Sequence, residues 1–284
     1  MPGAADIDVS VITPSLNMLG YLKRCVASVA DQDGVGYEHI IMDGASTDGT
    51  AEWLAAQDCV TAHIGRDSGM YQAVNRGFRS ARGRILAHLN CDEQYLPGTL
   101  AFVARLFDVH PEIALLFGDT LTVRPDGRLV AYRKTVRPVT AVLSLPPLYV
   151  PTAATFFRRQ IIEDGHVYDE SFKDVADLAW IRCLVRSGYR LSHVRRYLAA
   201  FTLTGQNRSN TVPSIRKELE RYLLGVPWWI KRFRGPWRAV GWTEKLLAGC
   251  YHERTPFSYA LHLSDSMAAR KIFVAEAASF RWRF

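Results

Sequence analysis

Short apolar runs in this chain end repeatedly on carboxylates and amides set among small residues. Thr13-Pro14-Ser15-Leu16-Asn17 follows residues 9–12, and Asp43-Gly44-Ala45-Ser46-Thr47-Asp48-Gly49 follows residues 39–42. Gly65-Arg66-Asp67-Ser68-Gly69 comes after residues 60–64, and Asn90-Cys91-Asp92-Glu93 after residues 84–89. Carboxylate oxygens in such positions can hold a hard cation, accept a hydrogen bond from a polar N–H, or take a proton. One further acid stands apart. Asp177 precedes Ile181 by four and Leu184 by seven, so it shares their inward face in the first turn of a helix predicted over residues 175–186. An acid on an inward face must look into a polar cavity or be neutralised. Its pKa is lowered by the helix amino terminus and raised by burial, and the sequence leaves the balance open.

The elements around these segments must bring them together. Residues 9–12 read as a short buried-type strand, and 39–42, 60–64, 84–89 and 114–117 as further strands. Between them Leu22, Cys25, Val26 and Val29, and then Met70, Ala73, Val74, Phe78 and Ala81, recur at helical spacing. Further helices begin near Thr50 and at Pro97. This alternation predicts an α/β fold with a mostly parallel sheet and helical crossovers, in which ligands bind beyond the carboxyl ends of the strands. After Gly118 the rhythm changes: residues 120–123 and 128–132 flank Arg124-Pro125-Asp126-Gly127, a hairpin turn. A Pro-rich stretch, a strand at 155–157, the 175–186 helix and a strand at 189–194 follow. Past Asn210, Ile215, Leu219, Tyr222 and Leu223 share one helical face.

Composition narrows the classes. With 48% hydrophobic and 22% charged residues, the 284-residue chain is neither disordered nor collagen-like. Its five cysteines lack CxxC spacing, which argues against structural zinc and for a reducing compartment. The opening residues have no basic and apolar leader pattern, so a cytoplasmic location is expected. Residues 138–157 carry no charge, but Pro138, Pro146, Pro147 and Pro151 remove backbone donors that lipid cannot replace, so no transmembrane helix is expected. Neither a G-x-G-x-x-G turn nor a P-loop follows the first strand, which removes the main support for nicotinamide or P-loop chemistry. The net charge is +7, and most of it lies after Val226, where ten lysines and arginines face four acids.

Taken in order, these segments resemble the family 2 glycosyltransferases of the GT-A (nucleotide-diphospho-sugar transferase) fold. The resemblance rests on Val11 through Asn17, on Ile41 through Thr50, on Asp67-Ser68-Gly69-Met70-Tyr71-Gln72-Ala73-Val74-Asn75-Arg76-Gly77, and on Leu89-Asn90-Cys91-Asp92-Glu93 with Pro97-Gly98. It covers roughly residues 8–210. It implies a bacterial-type inverting transferase of the hexosyltransferase kind, moving a sugar from a nucleotide diphosphate to a hydroxyl of a glycan or lipid-linked acceptor in cell-surface polysaccharide synthesis. It also implies a division into a donor half (1–118), an acceptor half (119–210) and a basic, aromatic-rich helical extension (211–284).

The resemblance implies a role for each site residue. Asp92 is the second aspartate of the family's Asp-x-Asp motif and would hold a divalent cation, Mg2+ or Mn2+, against the leaving diphosphate; Glu93 could reach that cation through water. Asn90 replaces the first aspartate and would be a neutral contact to the donor. Asp43 would accept the imide N–H of uracil or thymine, favouring a UDP- or dTDP-sugar, or would simply cap the following helix, for which Asp48 is the better candidate. Thr13, Pro14 and Asn17 would line the same pocket, chiefly through backbone near Thr13. Asp67 matches a donor-loop aspartate that Asn75 would order, while Arg66 reads as a solvated surface residue. Asp177 would be the general base for the acceptor hydroxyl; the alternative makes Asp177 a helix cap and Asp174 the functional acid. His88 reads as a core histidine, Cys91 as packing, and Gln206-Asn207-Arg208-Ser209 as a loop over the phosphates. A related nucleotidyltransferase, or a degenerate glycan-binding scaffold, are the competing readings. In the extension, Trp228, Trp229, Phe233 and Trp237 interleave with Lys231, Arg232, Arg234 and Arg238. That pattern suits peripheral contact with an anionic membrane on its inner face, or packing back on the domain, better than nucleic acid.

Overall fold

In the computed structural model, residues 7–137, 139–146, 150–205, 212–263 and 266–280 are described. The chain runs β1 (Val9–Ser15), α1 (Leu19–Ala30), β2 (Tyr37–Asp43), α2 (Thr50–Ala55), β3 (Thr61–Ile64), α3 (Met70–Ser80) and β4 (Ile85–His88). It continues through β5 (Glu93–Tyr95), α4 (Thr99–Val109), β6 (Leu115–Val123), β7 (Leu129–Arg133) and α5 (Thr140–Leu143). A single 3-10 turn (Thr152–Ala154) leads into β8 (Thr155–Arg158), α6 (Gln160–Glu163), α7 (Ala176–Arg186) and β9 (Leu191–Thr202). Last come α8 (Val212–Leu224), α9 (Trp228–Arg232), α10 (Arg234–Leu247), β10 (Phe257–Leu263) and β11 (Ser266–Ala275).

Side-chain alternation along the strands sets the layers. Val9 and Val11 of β1 point to one face, where they pack with Cys25 and Val29 of α1 and with Leu100, Val103 and Phe107 of α4. Ile12 points to the other, against Val74 and Phe78 of α3, in a cluster that reaches Ile181 and Leu184 of α7. Both faces of β1 are therefore covered, as expected of a parallel sheet, whereas β3 at the sheet edge is exposed throughout. The strand order is β3-β2-β1-β4-β8-β6-β9-β5, with β7 paired to β6. β3, β2, β1 and β4 are mutually parallel. β8 then enters antiparallel between β4 and β6, and the sheet is mixed beyond it. The parallel half places Ser15 opposite Asp43 and Ile12 opposite His88, so the carboxyl ends of β1, β2 and β4 share one edge.

The hairpin predicted around Arg124–Gly127 forms, but its first arm is continuous with the 114–117 strand: both belong to β6. The extension is helical only through Leu247. An antiparallel hairpin, β10–β11, follows it, a departure from the expected helical tail. Tyr259 and Leu261 of that hairpin are buried with Leu121, Val123 and Tyr132, whereas Ile272 and Val274 of its second strand are exposed, so apolar residues fall on both faces and no clean two-residue period marks the hairpin in the sequence. Arg270 fastens it to the body, with Nη2 2.6 Å from Asp31 Oδ1 and Nη1 2.8 Å from the Tyr95 carbonyl. Among the described residues no helix is long and apolar enough to cross a membrane.

Candidate active site

Three loops at the carboxyl edge are stapled together by short polar side chains. Asn17 takes a left-handed conformation (φ 52°), and its Oδ1 accepts from the Thr47 N–H at 2.8 Å. Its own N–H donates to Ser46 Oγ at 2.8 Å. Asp43, buried at the end of β2, accepts from Ser46 N–H at 2.9 Å and from Ser46 Oγ at 2.6 Å. It holds the turn through Ala45 and does not cap α2. The cap position of α2 is Gly49, and Asp48 just before it accepts from Thr50 N–H and Oγ1 at 3.3 and 2.6 Å and, across the loop, from the Leu19 N–H at 2.9 Å. Asp67 approaches from the end of β3: a Cβ on Gly44 would lie 3.4 Å from its Oδ2, and its Oδ1 accepts from the Gly69 N–H at 2.8 Å. The Thr13 hydroxyl is turned into the core, 2.9 Å from His39 Nε2, and Pro14 is buried beside it, so this segment meets the edge through backbone. Arg66 is exposed.

Beyond β4 a polar chain runs from a neutral histidine to a pair of acids. Burial depresses the His88 imidazole to about 4, so it is uncharged near neutrality. Its Nε2 lies 3.1 Å from Asn90 Oδ1, an oxygen that can only accept, so Nε2 carries the proton. Asn90 then donates to Glu93 Oε2 twice, from its backbone N–H at 2.8 Å and from Nδ2 at 3.2 Å. The amide expected to touch the donor is thus committed to the protein on both sides. Glu93 is buried and held well above the ordinary carboxylate range, first by burial and then by the neighbouring charge of Asp92, with Asp177 adding to it. Cys91 packs against Met18, Sγ to Sδ 3.7 Å.

Asp177 lies in the first turn of α7, half-buried. Its Oδ2 accepts from Thr152 Oγ1 at 3.1 Å and its Oδ1 from the Leu178 N–H at 2.8 Å. Tyr71 of α3 also donates to the carboxylate. Burial is the largest influence and raises the carboxyl above its usual value despite these donors and the charge of Arg133. A cavity of about 10 Å³, room for roughly one water, joins Asp177 to His88, Thr152, Tyr168 and Trp180. The residue in the cap position of α7 is Val175, not Asp177.

The entry to α7 is fixed from three directions. Glu218 of α8 accepts from the backbone N–H groups of Lys173, Asp174 and Val175 at 2.6, 2.8 and 3.2 Å. Lys173 Nζ donates to the Ser68 carbonyl at 2.6 Å, joining this segment to the Asp67 loop. Asn75 does not order that loop, as expected, but the segment before α7: its Nδ2 reaches the Tyr168 carbonyl at 2.8 Å and Glu170 Oε1 at 2.9 Å, and its Oδ1 accepts from the Tyr168 N–H at 3.0 Å. Asn75 is a helix residue facing across about ninety positions of sequence, and nothing local could reveal its partner.

Asp43, Asp67, Asp92 and Asp177 therefore stand along one side of the molecule, on or just beyond the carboxyl ends of β2, β3 and β4 and on α7. The charges of Asp92 and Asp177 both reach Glu93. Glu218, Tyr71, Thr152 and Arg133 were not singled out in the sequence; only Tyr71 falls within a quoted motif. The segment 206–209 lies outside the described residues. Among those described, no cluster of three or more His, Cys, Asp or Glu forms a closed metal cage. The arrangement nevertheless fits a hard divalent ion, because two adjacent acids, Asp92 and Glu93, repel each other in a partly buried setting, and such an ion commonly takes one or two carboxylates and completes its shell with phosphate oxygens.

Comparison with known proteins identifies the family and the fold. The chain is 36% identical over 118 residues to a PGL/p-HBAD biosynthesis glycosyltransferase of Mycobacterium tuberculosis, a match covering 39% of this chain and 46% of that protein. It thus spans about half the length of this curated relative. The crystal structure of S. aureus TarS 1–349 in complex with UDP-GlcNAc superposes with a TM-score of 0.60 at 16% identity, covering 93% of this chain and 99% of that one. The mannosyltransferase PcManGT from Pyrobaculum calidifontis, in complex with GDP-Man and Mn2+, gives 0.54 at 17% identity over 87% of this chain and 77% of that one. At such identities the two structures speak for the fold alone, a GT-A type mixed α/β sheet. The family model "Glycosyl transferase family 2" matches residues 10–161, more than half of the 284, and the chain belongs to that family.

Proposed function

We propose that this chain is an inverting glycosyltransferase that moves a sugar from a nucleotide diphosphate, of the UDP or dTDP type, to a hydroxyl of a glycan or lipid-linked acceptor in cell-surface polysaccharide synthesis. The observation that carries the reading is the placement of Asp177 within electrostatic reach of Glu93, which adjoins Asp92 at the sheet edge that also bears Asp43 and Asp67. Residues 1–118 serve as the donor half, 119–210 as the acceptor half, and 211–284 as an extension. The reaction takes place in the cytoplasm, with the enzyme peripheral on the inner face of the membrane, where a lipid-linked acceptor would be met.

The reaction is one in-line displacement. Asp177 takes the proton of the acceptor hydroxyl as its oxygen bonds to the anomeric carbon. The bond from that carbon to the β-phosphate oxygen breaks, and the electron pair leaves with the diphosphate. A raised carboxyl pKa suits this task, because it makes a stronger base. Asp92, with donor phosphate oxygens completing the shell, would hold Mg2+ or Mn2+, whose chemistry is to neutralise charge gathering on the diphosphate. Asn90 and His88 brace Glu93 behind that position. Asp43 keeps lone pairs beyond the two that Ser46 occupies, enough to accept one imide N–H and so discriminate the base.

Thermal-shift measurements against UDP-, dTDP- and GDP-sugars, with and without Mn2+, test the reading. A ligand at a hundredfold its Kd should stabilise the protein by about 2.7 kcal/mol. A shift with a UDP- or dTDP-sugar, strengthened by Mn2+ and followed by slow release of nucleoside diphosphate, is expected. No shift with any nucleotide sugar, or binding with no hydrolysis or transfer under any metal condition, overturns it.

A further inference from the structure

The extension divides sharply into a buried and an exposed side. Tyr222, Val226 and Ile230 join the core that contains α7, and on α10 Gly241 and Lys245 face inward. The opposite side carries large apolar groups that nothing among the described residues covers. Trp228 is 73% exposed, Trp242 60%, Leu246 66% and Leu247 83%, with Leu224 and Phe233 also exposed. Arg238, Trp242 and Leu246 are four residues apart and form one stripe along α10. The rings of Trp229 and Trp237 meet edge to face at 6.0 Å and lock α9 to α10, so the two helices present their surfaces together. The exposed charges between them, Arg232, Arg234 and Arg238, are all positive, and the sole acid of these two helices, Glu244, is partly buried.

We infer that this face of α9 and α10 docks on an anionic lipid surface, with the tryptophans and leucines at headgroup depth and the arginines on lipid phosphates. Soluble proteins seldom leave so many large apolar side chains in one place without a partner. Tryptophan prefers the membrane interface, and apolar groups beside arginines are the composition of a helix lying in its plane. A second copy meeting the same face would bring the three arginines against their like. Single-stranded nucleic acid would stack on the tryptophans but would gain nothing from Leu224, Leu246 and Leu247, which have no ring face. Of these three occupants, lipid alone satisfies both chemistries at once. The inference deepens the peripheral placement proposed above by assigning it a surface, and α8 then carries the docked helices to α7 and Asp177 through the Glu218 contacts.

Flotation of the full chain with vesicles tests this apart from turnover. Binding to equimolar phosphatidylglycerol and phosphatidylcholine should exceed binding to phosphatidylcholine alone on the order of 100-fold, given roughly tenfold or less per exposed cation, and should fall with salt. The variant R232E/R234E/R238E should lose the preference for anionic vesicles. The variant W228S/W242S should bind both vesicle types more weakly, and both variants should keep donor hydrolysis and Tm unchanged. Equal affinity for the two vesicle types overturns the inference. So does a concentration-dependent dimer, seen by light scattering, that W228S/W242S abolishes, or single-stranded DNA that displaces the protein from vesicles. Vesicle binding without glycosyl transfer would leave the docking surface standing and remove the catalytic proposal instead.

Discussion

The carboxylate of Glu218 lies across the entry to α7 and accepts the backbone N–H of Asp174 at 2.8 Å, three residues before Asp177. With the Lys173 and Val175 N–H groups on the same side chain, one acid from the extension satisfies three donors that would otherwise face the start of the helix unpaired. The extension is thereby part of the site's support.

Glu218→Ala should destabilise the fold by about 1–3 kcal/mol. It should also slow turnover on the order of 10-fold or more, because a small displacement of a catalytic group is costly, while donor affinity stays close to the parent value. Glu218→Gln, which keeps an acceptor, should fall between them. Unfolding curves and a KM-against-kcat comparison decide this; an Ala variant with parental Tm and kcat would remove the positioning role.

Asp177→Asn should preserve donor binding and lower turnover roughly 10²–10⁴-fold. In the parent, activity should rise with pH through a carboxyl pKa above its usual range, and this limb should vanish in the variant. Stability carries the opposite sign. A raised folded-state pKa gives stability that is present below the unfolded pKa and lost as pH rises through the folded one. Measured from mildly acidic to neutral pH, the Tm of the Asn variant should therefore gain on the parent's. Loss of donor binding would assign Asp177 elsewhere.

Asp92→Ala should fold normally and lose transfer by on the order of 10²–10³. Its thermal shift with nucleotide sugar should no longer respond to Mn2+. Full activity in this variant would end the assignment.

Asn90→Asp would restore the family's paired aspartates, yet it should not improve the enzyme. The new carboxylate would remove the Nδ2 donor to Glu93 and set a second negative charge beside Asp92 and against the uncharged His88. A loss of about 1–3 kcal/mol in stability is expected. Gain of both stability and activity would show that the amide is dispensable.

Asn75→Ala should cost about 2–4 kcal/mol, since it strands the Tyr168 backbone groups in a buried setting. Asn75→Asp keeps the shape but faces Glu170 with a second negative charge and should be no better. Denaturant midpoints for the pair provide the check.

The parallel half of the sheet was legible because its evidence is local. Apolar runs of four to six residues, helical recurrence between them, and turns rich in glycine and aspartate are written within a few positions of one another. The hairpin around Gly127 was equally readable, and so was Asp177, whose inward face follows from its spacing to Ile181 and Leu184. What the sequence determined by itself was thus the order of elements and which ends carry acids. Tertiary structure decided the rest. The strand β5, which starts at the last residue of the Asn90–Glu93 motif, is set by pairing with β9, about a hundred residues away. The hairpin β10–β11 exists because Tyr259 and Leu261 find a core built by β6 and β7. The partners of Asn75, the cap supplied by Glu218 and the sign of the shift at Asp177 depend on how much water and which dipoles surround each group. Those are properties of three-dimensional proximity, and no spacing along a chain encodes them.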